Sequence, residues 1–187
     1  MAGLKAFAFV AMLWIGGGLG VPGVALAQTT QSVQMGCITL AELRPTDAPP
    51  RLARSVRSCV ADGRYEDAIR VFLAYSSYGI FDQQRVSDES GHAALVELHL
   101  WIFSGYPKPV MEELRSVIAK VRDRDSDFFK RICANLARVG PPDYRPTYLI
   151  ERGMQPRKTD ADWLVEGFDV ATAWRKSLVE INGCSSI

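Results

Sequence analysis

Apolar residues return along this chain at the spacing of a helix face, not of a strand. Leu52, Val56, Cys59 and Val60 fall at i, i+4, i+7 and i+8 and predict a helix over 51–61, closed by Gly63 as a left-handed cap. Tyr65, Ala68, Ile69, Phe72 and Leu73 predict a second helix that ends near Tyr75–Gly79. The next one, Gly91–Ser104, is apolar over most of its surface. It is capped by Ser90 and expected at the centre of the domain. A fourth starts at Pro109 and carries Val110, Leu114, Val117, Ile118 and Val121. A fifth, Phe128–Val139, turns Phe128, Phe129, Ile132, Cys133 and Leu136 inward. The last, Ala161–Asn182, is capped by Asp160 and striped by Trp163, Leu164, Phe168, Ala171, Trp174, Leu178 and Ile181.

Between these lie loops. Residues 44–50 hold three prolines, 80–90 are polar, and 140–162 hold four prolines with a short piece, Thr147–Glu151, that reads as extended. Thr39 caps a short helix within residues 28–50. No segment alternates convincingly. The expected class is all-α: a compact bundle of about six helices over 51–187 with a short N-terminal segment.

The N-terminus sets the compartment. Lys5, the apolar run Ala6–Ile15, a glycine-rich break with Pro22, and Ala25-Leu26-Ala27 together predict a signal peptide over 1–27, cleaved after Ala27. Glycines and a proline interrupt the apolar run before it is long enough to span a bilayer. Gly36-Cys37 has the look of a lipidation site. Gln34 stands where a leucine-like residue belongs, however, and a polar stretch separates the pair from the apolar run. Cys37 is therefore expected to stay inside a periplasmic chain without a stable membrane anchor.

Cleavage leaves 160 residues and all four cysteines: Cys37, Cys59, Cys133 and Cys184. An even number in an exported chain implies two disulfides, with three possible connectivities. Cys37–Cys59 and Cys133–Cys184 are expected. The first would clip the N-terminal segment to the helix that follows, and the second would clip the last helix to the body.

Charge and motif exclude more than they assign. Lys and Arg number 22 and Asp and Glu 21; with Lys5 removed the chain is balanced, which argues against nucleic-acid partners. Asp123, Asp125 and Asp127 alternate as in a calcium loop, but Phe128 and Ala134 stand where that loop needs glycine and glutamate. They read instead as negative charge at a helix start. His92 and His99 lie about 10 Å apart along one helix, too far to chelate one metal. They read as a polar position near the helix start and a satisfied interior position. No nucleophile elbow, phosphate loop or dinucleotide fingerprint is present, so the chain is expected to be non-catalytic, with no cofactor and no metal.

Two resemblances follow from residues already named. Gly63, Tyr65, Ala68 and Phe72 resemble the second half of a tetratricopeptide repeat. The likeness departs at Tyr75, Ile80, Val56 and Cys59, and no second copy follows at a 34-residue offset. The expectation is a single repeat-like hairpin inside a bundle. In general type, a small, exported, disulfide-stapled, neutral helical chain resembles the periplasmic immunity proteins that neutralise antibacterial secretion-system effectors. That resemblance implies a protein partner and inhibition by surface occlusion.

Tyr144, Arg145, Tyr148 and Arg152, on a proline-stiffened loop, are the candidate contact residues, being of the types that dominate interface energetics. The other reading of the two tyrosines is packing over the core. The alternatives for the whole chain are a helical scaffold or adaptor in the bacterial envelope, and a glycan-cleaving enzyme. The latter rests on Glu89-Ser90, which resembles the Glu-Ser pair of wall-glycan lytic enzymes, and would use Glu89 as general acid.

Overall fold

The fold comes from a computed structural model that describes residues 36–156, 159 and 162–184, with only the backbone at Ile181. The signal peptide, the Asp160 cap and the first residue of the predicted last helix lie outside the described residues. Seven α-helices are present among them: α1 (Pro49–Ala61), α2 (Tyr65–Arg85), α3 (Ala93–Phe103), α4 (Lys108–Arg122), α5 (Asp127–Val139), α6 (Thr147–Ile150) and α7 (Val170–Lys176). Two 3-10 turns (Leu40–Glu42 and Glu89–His92) and a π-turn (Ser177–Ile181) complete the list. The class is all-α, with one isolated bridge, Val86 to Leu164, among the described residues.

Each boundary has a local cause. Thr39 starts the first 3-10 turn, where its N–H donates to the Glu42 carboxylate at 2.7 Å. Pro49 and Pro50 occupy the first turn of α1, where a missing N–H is tolerated. Gly63, at φ +70°, closes α1, and its N–H donates to the Val60 carbonyl. Ser126 caps α5 by accepting from the Phe129 N–H at 3.2 Å.

The centre of the molecule is α2, not α3. Its Ile69, Val71, Ala74, Tyr75, Tyr78 and Phe81 are buried, and it packs against α1, α4, α5, α7 and the π-turn. It does not stop at Gly79. At that position an added Cβ would come within 2.5 Å of the Leu95 side chain, so a glycine lets α3 approach closely without interrupting the helix. Residues 80–85, expected as loop, continue α2. By contrast α3 buries only Ala94, Leu95 and Ile102, because neighbours cover one of its sides.

The other corrections concern the second half. Thr147–Ile150 is a helical turn rather than an extended piece. Asp88, not Ser90, caps the turn that leads into α3, accepting from the Ser90 N–H at 3.0 Å. The predicted helix over 161–182 contains turns up to Asp169, whose side chain caps α7 by accepting from the Thr172 N–H at 2.8 Å. His99 is exposed and packs edge-on against the Phe72 ring, rather than lying in the interior.

The disulfides are Cys37–Cys59 and Cys133–Cys184. No helix among the described residues is long and apolar enough to cross a membrane. The N-terminal segment belongs to the same core, where Leu40 and Leu43 are buried.

One contact ties the 3-10 turn before α3 to the segment that carries α6. A Cβ added at Gly91 would overlap the backbone carbonyl oxygen of Leu149, which cannot turn aside as a side chain could. Gly91→Ala should therefore destabilise the fold by about 1–3 kcal/mol, the usual range for overpacking. A urea midpoint equal to that of the parent chain would refute the contact.

Candidate functional site

A groove of about 350 Å³ runs between α3 and α6, lined by Ala94, Leu98 and Trp101 on one side and by Tyr148, Glu151 and Arg152 on the other. Three large apolar side chains of α3 stand in water. Val96 is 57% exposed, Leu100 67% and Trp101 42%. Leu100 lies four residues beyond Val96, one helical turn further along, so the two share a face on the side of α3 turned away from the groove, whereas Trp101 stands at the groove with Glu97 between them. Large side chains left in water along one helix mark a contact surface more often than scattered single residues do.

Trp101 is held in place from behind. The Arg57 guanidinium of α1 sits 4.8 Å over the Trp101 ring, and its Nη1 donates to the Trp101 carbonyl at 2.7 Å and to the Ser104 carbonyl at 3.1 Å. A cation thus meets the free carbonyls at the end of α3, where the helix dipole favours it. These contacts hold the indole in place.

The opposite wall is fixed by a buried carboxylate. Asp82 of α2 has no exposed surface. Its Oδ2 accepts from the Tyr144 hydroxyl at 2.8 Å and from the Tyr148 hydroxyl at 3.0 Å. Its Oδ1 accepts from Arg85 Nε at 2.9 Å and pairs with Arg85 Nη2 at 2.7 Å. The same guanidinium lies 5.1 Å from the Phe81 ring, 5.0 Å from Tyr144 and 5.9 Å from Trp163. Burial is the main influence on Asp82 and pushes its pKa up to about 6, against the pull of Arg85 and the two hydroxyls. Burial, with the neighbouring Asp82 charge, drives the Tyr144 and Tyr148 phenols far above their ordinary range, so both stay protonated donors.

Beyond α6 the chain is pinned again. Asp88 Oδ2 accepts from the Gln155 N–H at 2.7 Å, and Ser90 Oγ accepts from the Met154 N–H at 2.9 Å.

The four residues expected to make contact are therefore separated by the fold. Tyr148 and Arg152 reach the groove, and Arg152 pairs with Glu97 across it at 2.9 Å. Both partners of that pair are exposed, so it contributes at most a modest attraction. Tyr144 turns its hydroxyl inward to Asp82. Arg145 is exposed and lies 5.7 Å from the Trp163 ring. Tyr148 does both jobs, with its hydroxyl on the network and its body on the groove.

Val96, Leu100 and Trp101 were not anticipated. The signal was an α3 apolar over most of its surface, which reads as burial until one knows that its neighbours cover only part of it. Glu89 is exposed on a 3-10 turn and lines none of the grooves described here. Among the described residues no three His, Cys, Asp or Glu side chains come together as a metal-holding set. No protein-family model, curated protein or solved structure matches the chain.

Proposed function

We propose that this is a periplasmic, non-catalytic binding protein of the immunity type, exported after cleavage behind Ala27, which inhibits a toxic effector by covering its working surface. The observation that carries the reading is the exposed apolar surface of α3: Trp101 at a groove whose far wall holds Tyr148 and Arg152, with Val96 and Leu100 standing in water on the helix's outer side. Aromatic and arginine side chains around an apolar centre are the usual anchors of a protein interface. Arg57 behind Trp101 and Asp82 behind Tyr148 hold those anchors in place, which reduces the ordering entropy lost on binding. The two disulfides fit an oxidising compartment.

The test uses the mature, oxidised chain as bait in envelope extract and in secreted, toxin-bearing fractions of the source organism. One stoichiometric partner is expected, with a hydrolase or lipase activity that the protein abolishes. Leu100→Asp should weaken that complex by about 30-fold or more, the scale of a 2 kcal/mol hot spot. Its melting temperature should match the parent's, since Leu100 is already in water. Recovery of abundant envelope components alone, or full affinity in Leu100→Asp, would defeat the reading.

A further inference from the structure

A second groove, sharing no residue with the first, lies between the end of α5 and α7. Its volume is about 450 Å³, within the range of small-molecule sites. Pro141, Val170, Trp174, Leu178 and Val179 line it, and Arg175 is the one charged residue among the lining. Val170 and Val179 are 49% and 37% exposed, so its apolar walls stand open to water. The floor is firm, because Trp174 is buried against the Tyr78 ring at 5.6 Å and the Phe81 ring at 6.1 Å. Arg175 is exposed and has no acidic partner among the described residues.

The wall is built on irregular backbone. At Ser177 the α-helix gives way to the π-turn Ser177–Ile181, which supplies Leu178 and Val179 to the groove. The Ala173 carbonyl stands at the centre of a polar cluster at this junction. It accepts from the Ser177 hydroxyl at 2.9 Å and from Gln84 Nε2 at 3.2 Å, and Gln84 Nε2 also donates to Ser177 Oγ at 2.8 Å. The Ser177 N–H keeps its bond to the same carbonyl, so the Gln84 side chain joins the helical ladder here and ties the start of the π-turn to α2. Such π-turns are rare and occur disproportionately at functional sites.

We propose that this groove binds the single hydrocarbon chain of a fatty-acid carboxylate, with the chain along Val170, Trp174 and Val179 and the carboxylate on the Arg175 guanidinium. Charge decides the class of ligand. The lining offers one unpartnered cation and no acid, a guanidinium presents parallel donors to a carboxylate, and the remaining surface can take only hydrocarbon.

The experiment is calorimetric titration of the whole oxidised chain with octanoate, decanoate, dodecanoate and dodecanol, each below its micelle concentration. Dodecanoate should bind one to one, and affinity should rise by about fourfold per methylene along the carboxylate series until the groove is filled. Arg175→Gln should weaken dodecanoate by about tenfold or more while leaving dodecanol unchanged, because only the charge-assisted contact is lost. Val179→Asp, with its melting curve recorded alongside, should abolish both, and Leu100→Asp on α3 should alter neither. Three results would overturn the proposal: no saturable binding by the parent chain, carboxylate and alcohol binding alike with no effect of Arg175→Gln, or sedimentation revealing a dimer that Val179→Asp dissolves. The last would mean that a second copy of the chain covers this face.

Discussion

Replacing Asp82 by alanine should lower the folding stability by about 3–5 kcal/mol at neutral pH, the cost of removing one member of a buried ion pair. The reason lies in what the change leaves behind. Arg85, with 9% of its side chain exposed, keeps its charge and loses its counter-ion, and the Tyr144 and Tyr148 hydroxyls lose their acceptor. Apolar volume cannot replace those partners, because each stranded donor carries its own desolvation penalty. Chemical denaturation with an unchanged slope would measure the loss. A change below about 1 kcal/mol would mean that water reaches the network and that Asp82 does not hold the segment around α6.

The same carboxylate gives the stability a pH dependence of unusual sign. Burial raises the Asp82 pKa from 3.8 to about 6, so between these values the native chain holds a proton that the unfolded chain has released. Unfolding then releases a proton, and the Asp82 contribution to stability declines as pH rises from about 4 to about 6. Across the window the decline amounts to about 3 kcal/mol, at 1.36 kcal/mol per unit. Asp82→Asn resembles the protonated carboxyl in shape and charge. It should be less damaging than Asp82→Ala at neutral pH and should lack this slope. An Asp82→Asn chain with the parent's pH profile over that window would assign the effect to another group.

This network also marks the limit of what the sequence pattern reveals. Asp82, Gln83, Gln84 and Arg85 form a polar run that reads as loop, yet α2 continues through them. Their partners, Tyr144, Tyr148, Ala173 and Ser177, lie some 60 to 90 positions further along the chain. Periodicity finds a helix by its contrast with water, and a polar interior erases that contrast. By the same logic α1, α4 and α5 are legible, since each has one apolar side and one wet side.

The segment before α7 fails in the opposite direction. Trp163, Leu164 and Phe168 carry helical spacing, but their backbone is used elsewhere. The Ser87 N–H donates to the Trp163 carbonyl at 2.9 Å, and the Val165 N–H donates to the Arg85 carbonyl at 2.9 Å. Gly167, at φ +69°, is the one local sign that the helix could not run through. For the groove, residue type singled out the stretch that holds Tyr148 and Arg152, two of the residues that line it. The α3 face opposite it depended on which helices happen to cover α3, and that is a tertiary fact.

Removing the second disulfide, as Cys133→Ala with Cys184→Ala, should cost about 4 kcal/mol, from the chain entropy of a loop closed over a separation of 51 residues. Removing the first, over a separation of 22, should cost about 3.4 kcal/mol on the same basis. The position of this bond raises the question of whether it also holds the native structure locally. Cys184 ties the end of the π-turn to α5, and the groove that holds Arg175 lies between those two elements. Other contacts anchor the same end. Arg124 Nη1 donates to the Asn182 carbonyl at 2.6 Å, the Asn182 amide donates to Ser77 Oγ, and Leu178 is buried. The native fold should therefore survive without the bond, since a cross-link acts mainly on the unfolded ensemble. Amide exchange tests that division. The variant without this disulfide should exchange faster throughout the core by the global stability difference, without selective loss of protection over 170–184. If protection disappears there alone while the core is unchanged, the disulfide is fastening a weak terminus, and the loop-entropy account does not apply.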